Sequence, residues 1–147
     1  MKTVAVIPSR YASMRFPGKP LQLLHGKPIV QWVWERTIRS KADMVLVATD
    51  DERIATTVKS FGGNVVMTSP NHPSGSDRIW EAVQNISADL IINVQGDEPL
   101  IPYQVINDLI DSMSVADAPD MGTVFVPCLI KDVAENPNLP KVGVSAD

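Results

Sequence analysis

The chain has one cysteine, Cys128, in 147 residues, so it holds no internal disulfide and is not a disulfide scaffold. A reducing compartment is the natural setting for such a chain. Basic residues are in the minority: 13 Lys+Arg against 17 Asp+Glu give a net charge of −4. That balance argues against a nucleic-acid binder, which normally needs a net basic face. No apolar run approaches the about 20 residues of a membrane span. The N-terminal run from Met1 to Pro8 is too short for the apolar region of a signal peptide. These absences together predict a cytoplasmic protein. Internal repeats and low-complexity tracts are also lacking. So are the two best-known phosphate-binding glycine patterns, G-x-x-x-x-G-K-[ST] and G-x-G-x-x-G.

What is present is an ordinary globular composition, 44% apolar and 20% charged. The length suits one domain, able to bury roughly two thirds of its unfolded surface. Short β-branched runs at Thr3–Ile7, Met44–Ala48, Val65–Met67, Leu90–Val94 and Thr123–Val126 predict strands. Most are continuously apolar, as strands covered on both faces are. Between them run stripes of helical period: Val30, Val33, Trp34, Thr37 and Ile38; Ile54, Val58 and Phe61; Ile79, Ala82, Val83 and Ile86; Ile106, Leu109, Ile110 and Met113. Thr49 and Glu52 have capping-box spacing, with Asp50 or Asp51 in the same turn. Gly62-Gly63 predicts a helix stop, Ser74 and Ser76 are candidate N-caps, and Pro102 is placed to open the last helix. Strand and helix in alternation predict an α/β fold with a mostly parallel sheet flanked by helices.

In such a sheet the ligand binds at the carboxyl ends of the strands. The segments to read are therefore Pro8–Lys19, Thr49–Arg53, Ser69–Arg78 and Gln95–Glu98. The first carries three cations, Arg10, Arg15 and Lys19, among small residues. Arginine forks and a mobile lysine suit phosphate oxygens, and small residues let backbone amides approach an anion. A solvated basic loop has the same composition. Gln95-Gly96-Asp97-Glu98-Pro99 puts a carboxylate at a strand tip, where one or two such groups plus phosphate oxygens hold Mg²⁺. Asp in that place also stabilises turns. Ser74-Gly75-Ser76-Asp77-Arg78 reads as a helix start with Arg78 in its first turn. Asp77 is available to orient Arg78 or Arg10, or to complement the helix dipole.

Other residues read as structural. Trp32 and Trp34 point to opposite sides of one helix, so at least one packs. His25 sits in a turn, and His72 precedes Pro73 with no metal-ligand neighbour at useful spacing. Cys128 has no His placed beside it by the sequence. The charges from Asp50 to Arg53 read as a solvated helix start.

Several runs together resemble the sugar-acid cytidylyltransferases. They are Ile7-Pro8-Ser9-Arg10-Tyr11-Ala12-Ser13, Phe16-Pro17-Gly18-Lys19-Pro20-Leu21 and Val47-Ala48-Thr49-Asp50-Asp51-Glu52-Arg53. They continue in Met67-Thr68-Ser69-Pro70, Ser74-Gly75-Ser76-Asp77-Arg78 and Val94-Gln95-Gly96-Asp97-Glu98-Pro99-Leu100-Ile101. Asn136-Pro137-Asn138 before Lys141-Val142 extends the likeness, which covers nearly the whole chain in order and spacing. Within that family the likeness is to the members that activate 3-deoxy-D-manno-octulosonate (Kdo) for lipopolysaccharide synthesis.

The resemblance implies a Rossmann-like nucleotidyltransferase fold and transfer of CMP from CTP to Kdo, with release of pyrophosphate. It implies that Arg10 and Lys19 bind the triphosphate, with Arg15 a third contact, and that Asp97 ligates Mg²⁺. Arg10, Lys19 and Asp97 would then be the catalytic set. Ser74 and Arg78 would lie near the nucleotide, Gln95 beside nucleotide or sugar acid, and Pro8, Ser9 and Arg10 around the cytosine. Ser9 stands where the family often has alanine. Family members are longer, with a second metal-binding aspartate, the sugar-acid site and most dimer contacts beyond the region matched here. Residues 1–147 are thus expected to be the nucleotide-binding part of one cytidylyltransferase domain, C-terminally truncated, whose full-length form is a homodimer. The alternatives are a nucleotide-binding module without turnover, or a related acceptor such as an 8-amino Kdo.

Overall fold

A computed structural model describes residues 1–12, 16–127, 135–137 and 141–142. Four parallel strands form the central sheet: β1 (Thr3–Ser9), β4 (Met44–Thr49), β5 (Asn64–Met67) and β6 (Leu90–Asn93). A small antiparallel ribbon, β2 (Leu23–Leu24) with β3 (Lys27–Pro28), follows a short 3₁₀ turn at Lys19–Leu21. The helices are α1 (Ile29–Thr37), α2 (Glu52–Ser60), α3 (Gly75–Val83) and α4 (Tyr103–Ser112). The α/β fold read from the sequence is therefore the one observed, with strands and helices displaced by a few residues at their ends.

The sheet order is β5-β4-β1-β6. Numbered by their order among the parallel strands, that is 3-2-1-4, and the direction of winding reverses between β1 and β6. Alternation along β1 feeds two cores. Ala5 and Ile7 pack with Val47, Val30, Val33, Ile54, Val58, Ile106 and Ile110, under α1, α2 and α4. Val4 and Val6 pack with Leu46, Ala48, Ile79, Ala82 and Val83, under α3. Burial on both faces is why these strands are apolar without a gap. Each fully buried Val or Ile contributes about 1.5–3 kcal/mol.

Caps set where the helices begin and end. Asp51, not Thr49, is the N-cap of α2, accepting from the Arg53 amide. Thr49 Oγ1 accepts instead from the Asp51 amide, which turns the chain out of β4. Ser74, not Ser76, caps α3. After Phe61 the amides of Gly62 and Gly63 reach back to Lys59 and Val58. Gly62 has φ 81°, the left-handed turn that such an ending needs. Pro102 precedes α4 and Tyr103 opens it. Trp34 packs on Phe61 in the larger core, while Trp32 donates to the Leu24 carbonyl.

One predicted strand is absent. Thr123–Val126 lies in irregular chain. A cavity of about 540 Å³ is lined by both Leu90–Asn93 and Met121–Val124, and, among the described residues, 123–126 pair with no strand. A β-branched run becomes a strand only when it pairs with a partner's amides and carbonyls, and among the described residues this one has no such partner. Cys128 lies outside the described residues.

Candidate active site

The reversal of winding places the carboxyl ends of β1 and β6 side by side with a crevice above them. The paired register of these strands runs to Val6 opposite Asn93, the Val94 amide still donates to the Val6 carbonyl, and the two chains stay close beyond it. From β1 come Pro8, Ser9 and Arg10; from β6 come Gln95, Gly96 and Asp97. Gly96 is needed where the two chains pass. A Cβ there would lie 2.7 Å from the Pro8 carbonyl oxygen and 2.9 Å from Ser9 Oγ. Ser9 is buried, and among the described residues its hydroxyl has no hydrogen-bond partner.

Two cavities share this crevice. Both are lined by Pro8, Ser9, Arg10 and Gln95. The first, about 290 Å³, adds Lys19, Pro20, Gly96 and Asp97. Here Lys19 Nζ donates to Asp97 Oδ2 at 2.8 Å. The second, about 160 Å³, adds His72, Ser74, Gly75 and Arg78. Arg10 is exposed at the boundary of the two, and no carboxylate pairs with it among the described residues. One compartment is thus charged and open, the other small and walled by hydrogen-bonding groups. The joint shape fits a polyphosphate continuous with a small polar ring.

Lys19 reaches the crevice through the loop that follows β1. Gly18, at φ 69°, donates its amide to the Tyr11 carbonyl and packs beneath the Tyr11 ring. Arg53 stacks on that ring with its guanidinium carbon 3.4 Å from the centroid. Arg53 also forks onto Asp51, and this contact holds the Asp51 carboxyl below the usual carboxylate range. Arg15 lies outside the described residues.

The floor of the small cavity is Arg78, only 3% exposed. Its guanidinium donates to Asp50 Oδ2 at 2.9 Å and to Thr68 Oγ1. A buried guanidinium needs such partners, because an unpaired charge there is strongly destabilising. Asp50 lines neither cavity but supports Arg78 from within the protein, and it is not the solvated helix-start charge that the sequence suggests. The second Asp50 oxygen, Oδ1, is buried without a partner among the described residues. Asp77, available by sequence to orient Arg78, accepts instead from Ser74 Oγ at the mouth of α3.

His72, read from sequence as structural, lines the same cavity. Its Nε2 bonds to Glu81 on α3, and the Glu81 carboxylate also accepts the Ser69 amide at 2.8 Å. The His72 bond holds the Glu81 carboxyl below its ordinary range. No short-range signal announces this pair: the residues are nine apart and belong to a loop and a helix. His25 has φ 50° in the turn between β2 and β3 and lines neither cavity. Among the described residues no three His, Cys, Asp or Glu side chains gather into a metal cage.

A family model described as cytidylyltransferase matches residues 4–147. The 3-deoxy-manno-octulosonate cytidylyltransferase of Vibrio parahaemolyticus is 50% identical over 145 residues, which are 97% of this chain and 57% of that protein. The Aliivibrio fischeri protein of the same name is 48% identical over 150 residues, 100% of this chain and 60% of its own. The chain thus spans less than two thirds of the length of these curated relatives. A solved CMP:2-keto-3-deoxy-manno-octonic acid synthetase complexed with CTP superposes with a TM-score of 0.75 at 46% identity, covering 77% of this chain and 47% of that one. A cytidylyltransferase from Leptospira borgpetersenii gives a TM-score of 0.68 at 28% identity, covering 76% of this chain and 48% of its own.

Proposed function

The chain belongs to the cytidylyltransferase family, and from that premise we propose that it is the nucleotide-binding part of an enzyme that transfers CMP from CTP to Kdo. The observation that carries the reading is the pair of joined cavities at the ends of β1 and β6. One offers Lys19 and Asp97, the other His72, Ser74 and Arg78, and Arg10 stands between them. The relatives named for activity on 3-deoxy-manno-octulosonate, and the solved relative holding CTP, support the choice of nucleotide and acceptor.

In the reaction the anomeric hydroxyl of the sugar acid attacks the α-phosphorus in line. The bond from that phosphorus to the β-phosphate bridge breaks, and pyrophosphate leaves on the opposite side. Lys19 and Arg10 would hold the outer phosphates and stabilise the charge that builds on the leaving oxygen. Arg78, Ser74, Pro8 and Ser9 would hold the base end, so that the α-phosphate sits at the shared wall of the two cavities. Gln95, lining both, would meet the nucleotide or the incoming sugar acid. Positioning of this kind supplies much of the rate in phosphoryl transfer.

The donor set fits a divalent cation bound together with nucleotide. One exposed carboxylate, Asp97, lies beside the phosphate cavity, and Mg²⁺ takes one or two carboxylates with phosphate oxygens and water. When bound, such an ion neutralises the non-bridging phosphate oxygens. The reading extends to a cytoplasmic homodimer supplying activated Kdo for lipopolysaccharide. No helix of the described residues is long and apolar enough to cross a membrane.

The test is pyrophosphate release by the longer enzyme that contains this chain. Release is expected with CTP, Kdo and Mg²⁺ together and not when any one is omitted. No release under the complete conditions, or equal release with Kdo left out, overturns the proposal.

A further inference from the structure

We propose that His72 is a specificity-determining residue that reads the exocyclic amino group of cytosine, the tautomer of its neutral ring being set by Glu81. The proposal rests on the nucleotide reading above and assigns a new residue to that site. Three observations converge on it. His72 lines the small cavity together with Ser74, Gly75 and Arg78. Its Nε2 is committed to the Glu81 carboxylate. Glu81 is itself fixed by the Ser69 amide, so the acceptor that the ring meets is anchored to backbone.

An ionised carboxylate only accepts hydrogen bonds. Nε2 therefore carries a proton, and it is the neutral tautomer so defined, with Nδ1 as acceptor, that the proposal assigns to the reading of the base. Among the described residues Nδ1 has no partner, so of the two ring nitrogens of this cavity-lining residue it is the one not already engaged. Arg78 and Arg10, in contrast, present only donors. A cavity with donors on one side and an imidazole acceptor on the other matches cytosine. That base offers an amino donor at its 4-position, where uracil has a carbonyl acceptor. Two acceptors facing one another would leave both unpaired on loss of water, and sites built this way discriminate strongly. The plainer role, a tether between the loop after β5 and α3, uses Nε2 alone and predicts no preference between the two bases.

The experiment measures the dissociation constants of CTP and UTP by calorimetry, with Mg²⁺ present, for the unaltered chain, His72→Phe, His72→Ala and Glu81→Ala. Phenylalanine keeps a packed ring without a nitrogen, and thermal melting shows whether each variant is folded. The unaltered chain is expected to prefer CTP. In His72→Phe, CTP binding should weaken about tenfold, UTP binding should hold or improve, and the ratio should approach one. Glu81→Ala, which frees the His72 ring together with the Ser69 amide, should lower the same ratio by a smaller factor. A ratio unchanged in the folded His72→Phe variant, or CTP and UTP affinities falling by the same factor in every variant, overturns the proposal. Failure of the unaltered chain to bind CTP at all would instead strike the nucleotide reading itself.

Discussion

Lys19 Nζ lies 2.8 Å from Asp97 Oδ2, so the cation of the loop after β1 and the carboxylate after β6 close on each other across the crevice. Their side chains are 36% and 56% exposed, and a pair so open to water is worth at most about 1 kcal/mol. Neither group is therefore locked away. On the proposed reading a triphosphate would draw off the lysine and a metal the carboxylate, at little expense to the fold. Lys19→Ala should weaken CTP binding about tenfold to a hundredfold, the loss of one charge-assisted contact. CMP, which lacks the outer phosphates, should be affected far less. Calorimetric titration with both nucleotides checks this, and an equal loss for the two would place Lys19 elsewhere on the ligand.

Asp97→Asn should leave the melting temperature nearly unchanged, since the carboxylate is more than half exposed. Metal-dependent nucleotide binding should fall at least about tenfold. Titration of Mn²⁺ in the presence of CTP, followed by paramagnetic relaxation of water, reads the metal without recourse to turnover. Undiminished Mn²⁺ binding would remove Asp97 from the metal site.

Asp50→Ala removes the carboxylate that faces a guanidinium only 3% exposed. Breaking a buried pair by deleting one partner is destabilising by about 3–5 kcal/mol. Urea unfolding should show a loss of that size, where a solvated helix-start aspartate would show less than about 0.5 kcal/mol.

Gly96→Ala places a Cβ 2.7 Å from the Pro8 carbonyl oxygen, a contact that backbone must shift to relieve. A destabilisation of about 1–3 kcal/mol is expected. Because the same shift moves the wall shared by both cavities, CTP binding should weaken as well. Unfolding and calorimetry together check it, and stability lost with binding intact would separate the close approach from the ligand.

Asp51 caps α2 and its carboxyl is held below its ordinary value of 3.8 by Arg53. A carboxyl depressed in the folded state stabilises fully above its unfolded value, and the contribution fades as pH falls through the folded one. Asp51→Ala should cost about 1 kcal/mol near neutral pH, with the difference from the unaltered chain shrinking below about pH 4. Melting temperatures across pH 3–7, a range of about four units, would reveal it. A difference that grew on acidification would contradict the assignment.

Much of the fold was legible because local pattern and tertiary layer agree. Ala5 and Ile7 face one core and Val4 and Val6 the other, so a strand buried twice announces itself as unbroken apolar sequence. The stripes of α1 to α4 were equally plain, each having one face to bury. Thr123–Val126 misled because its β-branched composition says what it can become, not whether an edge lies within reach. Ser74 and Asp51 displaced their rival caps by a residue or two, since several hydroxyl and carboxylate groups compete at each helix start and only the final turn geometry selects one.

The sequence by itself determined the alternation of strand and helix, the loops in which ligand chemistry gathers, and the cation and carboxylate content of those loops. These are properties of short segments, governed by periodicity and by residue type. Tertiary structure alone decided who meets whom. It joined Lys19 to Asp97 across 78 positions and Arg78 to Asp50 across 28. It also turned His72, which looked idle in sequence, toward Glu81 and the small cavity. Such pairings follow from the order of strands in the sheet. That order is set by burying two cores at once, an energy summed over the whole chain and present in no single stretch of it.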